Sequence, residues 1–264
     1  MKKSTKVIVA MERYAMNSLS LILTTFNCKE NLEKTLTSIE SQDYSEIEVV
    51  IKDGGSTDGT LDIVRSFEKS SRFPVKWVSV SDKGLYHAMN QGLSLATGKV
   101  VLFFNDRFTR PDVVSRCMEL MEKEGTDGVH GDLVYAENGK VRRYWKMGIG
   151  KIRSGWMPGH PTLFLKREVY EKYGAYNDAY KCSADYEFMV RILKDGQMKL
   201  SYLPEVLVEM YYGGTSTQGV GAYGTSILEA HRALAENKVR PAWWIVFLRT
   251  VRTIPQFIRK PKVC

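Results

Sequence analysis

The sequence I-E-V-V-I-K-D-G-G-S-T-D-G-T-L-D-I, residues 47–63, carries the clearest structural signal in this chain. Its opening residues, Ile47–Ile51, are mostly β-branched and apolar, which predicts a buried strand. The run stops at D-G-G-S-T-D-G, residues 53–59, where glycines permit positive φ and the polar side chains favour a turn. Apolar residues at helical spacing in Thr60–Phe67 then predict a helix. This order is typical of a ligand site in an open α/β sheet, although a tight connection without a ligand gives the same local pattern.

The first half of the chain repeats this alternation of apolar strands and amphipathic helices. Strands are predicted at Leu19–Thr25, Ile47–Ile51, Val75–Val80 and Val100–Phe104, and helices at Glu30–Gln42, Thr60–Phe67 and Leu85–Ala96. This order implies a parallel sheet with right-handed crossovers. Each strand ends in a polar pair: Thr25 and Asn27, Asp53 and Ser56, Asp82 and Lys83, Asn105 and Asp106. Since these ends share one edge of the sheet, a nucleotide-sized site explains the recurrence better than connection chemistry alone.

The second half is patterned less regularly. The expected elements are a helix at 111–123, strands Gly128–Tyr135 and Lys140–Trp145 around an Asn138-Gly139 turn, a loop at Gly148–Pro161, a strand at Thr162–Leu165, helices Arg167–Tyr173 and Ala184–Leu193, and strands Met198–Leu203 and Val206–Met210. Asn-Gly between alternating apolar residues is a strong signal for a hairpin.

Length and composition indicate a globular α/β protein. The 264 residues suffice for one large domain or one domain with an appendage, and 44% apolar and 26% charged residues are ordinary for this class. The four cysteines are scattered without a C-x-x-C pair, which argues against a zinc site or a disulfide framework and fits a reducing compartment. Residues 1–17 are expected to be a loose leader, because their apolar run is too short for a signal peptide. These features predict a cytoplasmic protein.

Several of these stretches together resemble the family 2 glycosyltransferases of the GT-A fold, the inverting enzymes of bacterial polysaccharide assembly. The matching sequences are T-T-F-N (24–27), D-G-G-S-T-D-G-T (53–60), S-D-K-G-L-Y-H-A-M-N-Q-G-L-S-L-A-T-G (81–98), N-D (105–106), P-G-H-P-T (158–162) and S-A-D-Y-E (183–187). The resemblance implies a GT-A-like, mostly parallel sheet flanked by helices over residues 18–217. Within it, residues 18–110 would be the nucleotide-binding half and residues 111–217 the acceptor half.

The resemblance also implies a nucleotide-sugar site, with UDP as the expected nucleotide. The residues assigned to it are Thr25, Asn27, Asp53, Gly54, Ser56, Asp82, Lys83 and Asn105. A carboxylate such as that of Asp53 can accept two donors from a uracil edge or from ribose hydroxyls, and Lys83 would lie near the diphosphate. Asp106 is expected to bind Mg²⁺ or Mn²⁺, because these hard cations bridge carboxylate and phosphate oxygens. His160 would assist the metal or contact the acceptor; the plain alternative is a capping or packing histidine in a Gly-Pro loop.

Asp185 is the candidate base implied by the match to S-A-D-Y-E. In an inverting transfer, one carboxylate deprotonates the acceptor hydroxyl as that oxygen attacks the anomeric carbon opposite the leaving diphosphate. The plain alternative is a carboxylate placed at a helix N-terminus for the macrodipole. Glu187 is the second candidate for the base.

The end of the fourth strand departs from the family pattern. The family carries Asp-x-Asp or Asp-Asp after Asn here, whereas this chain reads F-F-N-D-R-F and has Asp106 alone. Either one carboxylate holds the metal together with water and phosphate, or metal dependence is weak and Arg107 takes part of the charge role. The short motif leaves open a second hypothesis, an inactive nucleotide-sugar-binding module of a polysaccharide assembly complex. A nucleotidyltransferase is disfavoured, because F-N-C-K at 26–29 is a poor phosphate cradle.

The C-terminal segment, residues 218–264, is predicted to be a helical, basic tail at a membrane interface, and it carries most of the net charge. Of the formal +8, seven positive charges and no negative one fall in Lys238–Cys264. Pro241–Ile258 places aromatic and aliphatic residues on one helical stripe, which predicts an amphipathic helix at a membrane interface facing anionic lipid. The alternative is a helix docked on the domain, with Trp243 and Trp244 in a groove. No nucleic-acid motif accompanies the basic residues, so nucleic acid is not expected as a partner.

The resemblance implies an inverting transferase that moves a hexose or N-acetylhexosamine from a UDP-sugar, and a membrane-facing tail suits a lipid-linked saccharide as the acceptor. Its expected setting is the biosynthesis of a bacterial surface polysaccharide such as an O-antigen, a capsule or an exopolysaccharide. The enzyme would be cytoplasmic and peripheral on the inner face of the cell membrane.

Overall fold

A computed structural model of the chain describes residues 18–212, 220–258 and 261. The strands are β1 Leu19–Thr25, β2 Ile47–Asp53, β3 Val75–Ser79, β4 Val100–Phe103, β5 Arg107–Phe108, β6 Gly128–Glu137, β7 Lys140–Trp145, β8 Phe164–Lys166 and β9 Leu200–Tyr211. The α-helices are α1 Lys29–Glu40, α2 Thr60–Ser70, α3 Leu85–Leu95, α4 Val113–Glu124, α5 Arg167–Tyr173, α6 Ala184–Leu193, α7 Val220–Glu236, α8 Ala242–Val251 and α9 Pro255–Ile258. The predicted leader, 1–17, and the basic residues Arg259, Lys260 and Lys262 lie outside the described part of the chain.

In the described residues the strands form a nine-stranded sheet, ordered β3-β2-β1-β4-β8-β6-β9-β5, with β7 paired to β6. Strands β3, β2, β1 and β4 are parallel, as the alternation of strands and helices predicts. Thr25 of β1 pairs with Asp53 of β2, which in turn pairs with Ser79 of β3. The carboxyl ends of these three strands therefore lie side by side.

The second half of the chain extends this sheet with mixed pairing. β8 is antiparallel to both β4 and β6, whereas β9 is parallel to β6. β5 is antiparallel to β9. Because β5 follows Asp106 directly, this residue lies where the chain leaves β4 and crosses to the other end of the sheet.

Alternate side chains of the strands form two cores, one on each face of the sheet. Leu19, Leu21 and Leu23 of β1 pack on one face with α1, α2 and α4, and Ile22 packs on the other with α3, α5, α6, α7 and α8. Burial of each such leucine stabilises the fold by about 1.5–3 kcal/mol. The helices α7 and α8 are therefore part of the packed body.

The two strands predicted at Met198–Leu203 and Val206–Met210 are a single strand, β9. Leu203 pairs with Gly131 and Val206 with Asp132, so the pairing register shifts around the intervening proline. Proline has no backbone N–H to donate to a neighbouring strand, and an irregularity in the pairing removes the need for one.

The single helix predicted for Pro241–Ile258 is also wrong, because the segment forms α8 and α9 with a turn at 252–254 between them. Pro255 explains the break: it cannot continue α8 and suits the first position of a new helix. α8 docks on the body through the buried Ile245 and Val246. Trp243 and Trp244 are each 56% exposed, and their rings stack on those of His231 and Phe247 respectively. Within the described ranges, no helix combines the length and the apolarity needed to cross a membrane.

Candidate active site

Asp53 holds together the turns at the ends of the first three strands. Its carboxylate is fully buried, and Oδ1 accepts hydrogen bonds from Thr25 Oγ1 at 3.0 Å and Ser56 Oγ at 2.5 Å. Oδ2 accepts from Ser79 Oγ at 2.7 Å and from the N–H groups of Gly55 and Ser56 at 2.8 and 2.9 Å. Burial raises the pKa of Asp53, but these donors outweigh burial and lower the pKa below its ordinary value. Both oxygens are saturated, so contact with a nucleobase requires a hydroxyl such as that of Ser79 to turn away.

Asn27 joins the turn after β1 to the turn after β2. It has a φ of 46°, in the left-handed region that Asn tolerates. Its N–H donates to Ser56 Oγ at 2.9 Å, and its Oδ1 accepts from the N–H of Thr57 at 2.9 Å. The neighbouring Phe26 is 66% exposed. An exposed aromatic ring beside a fixed turn offers a stacking surface for a flat ligand, a feature that the sequence reasoning missed.

A buried lysine ties the turn after β3 to the turn after β2. Lys52 is fully buried, and its Nζ donates to the carbonyl oxygens of Asp53 and Val80 at 2.7 Å each and to Asp82 Oδ2 at 3.1 Å. A Cβ on Gly54 would lie 2.9 Å from the same Asp82 oxygen, so any other residue at this position would displace the Asp82 carboxylate. Sequence reasoning missed Lys52, although a single charge between Ile51 and Asp53 was an available signal.

The two remaining residues of the predicted donor site, Lys83 and Asn105, lie exposed at this edge of the sheet. Lys83 lies in the turn before α3, where Asp82 Oδ1 accepts from the N–H of Gly84 at 2.9 Å. The Lys83 ammonium forms no ion pair within the described residues, which leaves its charge available to an anion. Asn105 exchanges two 2.9 Å hydrogen bonds with Thr24 and thereby fixes β4 against β1.

Asp106 is a buried carboxyl group, and no cationic side chain of the described residues acts on its charge. Burial raises its pKa to about 7, while the N–H of Tyr211 acts in the opposite direction. A nearby cation would favour the charged form of such a group. Arg107 does not supply that charge, because its guanidinium pairs with Glu209 on β9.

Asp185 is partly exposed in the first turn of α6, and Tyr86 on α3 donates to its Oδ1 at 3.1 Å. Glu187, the second candidate for the base, is buried and paired through both oxygens with Arg191, at 3.0 and 2.9 Å. Asn237 also donates to Glu187, at 3.1 Å. The geometry therefore favours Asp185 as the carboxylate available to an acceptor.

The negative charge of Asp185 affects the pKa of His160. Burial lowers the pKa of His160 and the negative charge of Asp185 raises it, with burial the larger effect. Its Nδ1 is buried without a hydrogen-bond partner among the described residues. His130, by contrast, is a core residue: it is 1% exposed and its ring contacts those of Trp156 and Tyr202.

The structure brings the predicted donor-site residues to one edge of the sheet, and it connects them to Asp185 through α3. In the ranges that the structure describes, no three His, Cys, Asp or Glu side chains cluster as a metal site. Asp106 fits a cation that takes one carboxylate from the protein and its remaining ligands from phosphate and water. His160 Nδ1 is likewise buried without a partner among the described residues, and the charge that acts on this ring is that of Asp185.

Residues 20–186 match the family model described as Glycosyl transferase family 2. The chain belongs to this family. This family 2 glycosyltransferase is 31% identical to the PGL/p-HBAD biosynthesis glycosyltransferase of Mycobacterium bovis over 202 residues, which are 75% of this chain and 78% of the relative. It is 30% identical to an uncharacterized glycosyltransferase of Mycobacterium tuberculosis over 182 residues, 66% of this chain and 68% of that one. The chain is therefore a glycosyltransferase enzyme.

Two solved structures show that the family 2 glycosyltransferase has the GT-A fold. Staphylococcus aureus TarS 1-349 in complex with UDP-GlcNAc matches with a TM-score of 0.66 at 19% identity, over 89% of this chain and 72% of TarS 1-349. The mannosyltransferase PcManGT from Pyrobaculum calidifontis, in complex with GDP-Man and Mn²⁺, matches with a TM-score of 0.62 at 20% identity, over 89% and 73%.

Proposed function

We propose that this enzyme transfers a hexose or N-acetylhexosamine, with inversion, from a UDP-sugar to a lipid-linked saccharide in bacterial surface polysaccharide biosynthesis. The observation that carries the proposal is the hydrogen bond from Tyr86 to Asp185. This bond holds the partly exposed carboxylate of Asp185 beside α3, the helix that follows the Asp82-Lys83 turn. The complex of TarS with UDP-GlcNAc supports UDP as the nucleotide.

In this proposal Asp185 is the general base. It accepts the proton of the acceptor hydroxyl while that oxygen attacks the anomeric carbon of the donor. The new C–O bond forms as the bond to the diphosphate breaks on the opposite face, and the electron pair leaves with UDP. Burial and the negative charge of Asp185 raise the pKa of Tyr86 far above neutral. Tyr86 therefore stays protonated and binds Oδ1, which leaves Oδ2 for the acceptor.

Mg²⁺ or Mn²⁺ would offset the charge that develops on the departing diphosphate. Asp106 would hold this cation, with His160 as the second protein ligand. The Mn²⁺ in the PcManGT complex supports a divalent cation in this fold. Calorimetric titration with UDP in Mn²⁺ and then in EDTA tests the assignment. We expect the wild-type enzyme to bind UDP more weakly in EDTA than in Mn²⁺, and Asp106→Asn to bind UDP equally in both. Equal binding by the wild-type enzyme in Mn²⁺ and EDTA would remove the metal from the proposal.

The exposed face of α8 and α9 supports docking on the cytoplasmic surface of a membrane. Its apolar side chains are between 42% and 76% exposed: Trp243, Trp244, Phe247, Val251, Ile254, Phe257 and Ile258. Clustered basic residues beside exposed aromatic residues favour an anionic lipid surface. The described cysteines, Cys28, Cys117 and Cys182, are free thiols, which fits the reducing cytoplasm.

Vesicle sedimentation tests this surface. We expect the protein to bind vesicles containing anionic lipid and to bind zwitterionic vesicles less well. Replacing both Trp244 and Phe247 by Ser should release it, whereas Leu95→Ser, an exposed apolar residue on α3, should not. Equal binding by the double variant and the wild type would refute the docking surface.

Asp185→Asn tests the catalytic assignment. We expect turnover of the UDP-sugar to fall by about 10²- to 10⁴-fold, the range for removal of a general base, while UDP still binds. The control is Asp195→Asn, an exposed carboxylate just beyond α6, which should retain full turnover. A wild-type protein that binds UDP but turns over no UDP-sugar would instead support the inactive-module hypothesis.

A further inference from the structure

Three successive backbone N–H groups just before α6 converge on one carboxylate of α7. Glu229 Oε1 accepts from the N–H of Lys181 at 2.8 Å. Its Oε2 accepts from the N–H groups of Cys182 and Ser183 at 2.8 and 2.9 Å. Successive N–H groups around an anion form a concave nest, and hydrogen bonds to a charged acceptor are about twice as strong as neutral ones. Residues 181–183 are therefore held by a side chain of another helix.

Ser183 provides a second tie between the same two helices. It occupies the N-cap position of α6, but its side chain makes no capping hydrogen bond to α6. Its Oγ instead lies 3.1 Å from Ser226 Oγ and 3.3 Å from the Ser226 carbonyl oxygen. Ser226 is one turn before Glu229 on α7. The backbone that leads into α6 is thus oriented by α7.

These contacts bear directly on Asp185, which is two residues beyond Ser183. Ala184 between them is fully buried, as is Ala230 of α7, so the two helices pack closely at this point. Tyr86 holds the Asp185 carboxylate from the side of α3. Glu229 holds the backbone from the side of α7. The position of the carboxylate therefore depends on both neighbours.

We propose that Glu229 is a positioning residue for Asp185. The inference rests on the proposed function, because the position of Asp185 affects turnover only if Asp185 is the base. Without Glu229, three N–H groups lose their acceptor and the first turn of α6 can shift. A displacement of about 1 Å at a reacting group is enough to lower a rate by about 100-fold. The donor site lies on the turns after β1 to β4, so the binding of UDP does not depend on Glu229.

Steady-state kinetics of the full chain test this inference. For Glu229→Ala we expect kcat to fall by about 10- to 100-fold, while the KM for UDP-sugar and the Kd for UDP change by less than about twofold. Glu229→Gln keeps one acceptor oxygen for the N–H groups and should give an intermediate kcat. Glu236→Gln is the matched control. It lies on the same helix and accepts from the nearby Tyr180 at 2.7 Å, but it leaves the three N–H groups undisturbed, so its kcat should match that of the wild type.

The same experiments distinguish an error in this inference from an error in the proposed function. Full kcat in Glu229→Ala, with Asp185→Asn inactive, would overturn the positioning role alone. Full turnover in Asp185→Asn would overturn the base and with it the inference. If Glu229 only stabilises the fold, Glu229→Ala should have fewer UDP-binding sites per chain but an unchanged kcat per site. The stoichiometry of calorimetric UDP binding gives the number of sites. If Glu229→Ala does not fold, the kcat values of Glu229→Gln and Ser226→Ala test the proposal instead. Wild-type kcat per site in both variants would refute it.

Discussion

The phenolic oxygen of Tyr86 lies 3.1 Å from Oδ1 of Asp185, although the two residues are 99 positions apart in the sequence. Tyr86 is in the first turn of α3, directly after the Asp82-Lys83 turn, and Asp185 is in the first turn of α6. One hydrogen bond thus connects the edge of the parallel sheet with the candidate base. The bond also brings a residue from each half of the chain together.

Tyr86→Phe should lower kcat without weakening the donor site. The substitution removes the donor to Asp185 but keeps the ring, which is 7% exposed and packs against Tyr176 at a centroid distance of 5.8 Å. Loss of one hydrogen bond to a charged group corresponds to about 1.5–3 kcal/mol, or about a 10- to 100-fold lower kcat. UDP affinity by calorimetry should stay within twofold. A Tyr86→Phe enzyme with wild-type kcat would show that Asp185 needs no such donor.

The strand, turn and helix around Asp53 were predictable because their signals are local. Apolar β-branched residues, paired glycines and helical spacing follow one another within a single short stretch. The hairpin at Asn138-Gly139 was predictable for the same reason, and both residues have the positive φ, 49° and 74°, that this turn requires.

The interactions that complete the site were not predictable, because their partners are distant in the sequence. From the sequence, Lys52 in β2 is expected to be an exposed charge. Its burial is explained by hydrogen bonds to the carbonyl oxygen of Val80 and the carboxylate of Asp82. Glu229 lies in α7, within the segment 218–264 that was predicted to be helical but not divided into individual helices, and its partners are 46–48 positions earlier. The break before Pro255 was within reach of the sequence, since proline cannot continue a helix. The apolar stripe along Pro241–Ile258 nevertheless led to the prediction of one continuous helix.

Gly54→Ala should weaken binding of the donor through Asp82. An added Cβ would lie 2.9 Å from Asp82 Oδ2, closer than real Cβ contacts, and 3.2 Å from Phe26 Cδ2, which is a tight contact, so the Asp82 side chain must move. We expect the Kd for UDP to rise by about tenfold, which corresponds to about 1.4 kcal/mol. Gly224→Ala on α7 is the control: nothing lies within 4 Å of its Cβ, and alanine in a helix should raise stability without affecting UDP. Wild-type affinity in Gly54→Ala would show that Asp82 is not in contact with the donor.

Lys52→Met should destabilise the fold and impair donor binding together. The substitution leaves two carbonyl oxygens and the Asp82 carboxylate, whose side chain is 16% exposed, without their shared donor. Breaking such a pair should lower the free energy of unfolding by about 3 kcal/mol, measurable by urea denaturation. Lys34→Met, at an exposed position of α1, should change neither quantity. Loss of stability with unchanged UDP affinity would limit Lys52 to a role in folding.

His130→Phe should make the protein less sensitive to acid. His130 is 1% exposed, and burial lowers its pKa to about 4. Since an unfolded chain binds this proton near pH 6.5, stability should fall as the pH decreases from about 6.5 to about 4, where the loss is complete. The full effect of this one group is about 3 kcal/mol. Phenylalanine keeps the ring contacts with Trp156 and Tyr202 but cannot bind a proton. Urea denaturation at pH 7 and pH 4.5 should therefore show a smaller loss for the variant; an equal loss would mean that His130 is already protonated in the folded protein or titrates normally.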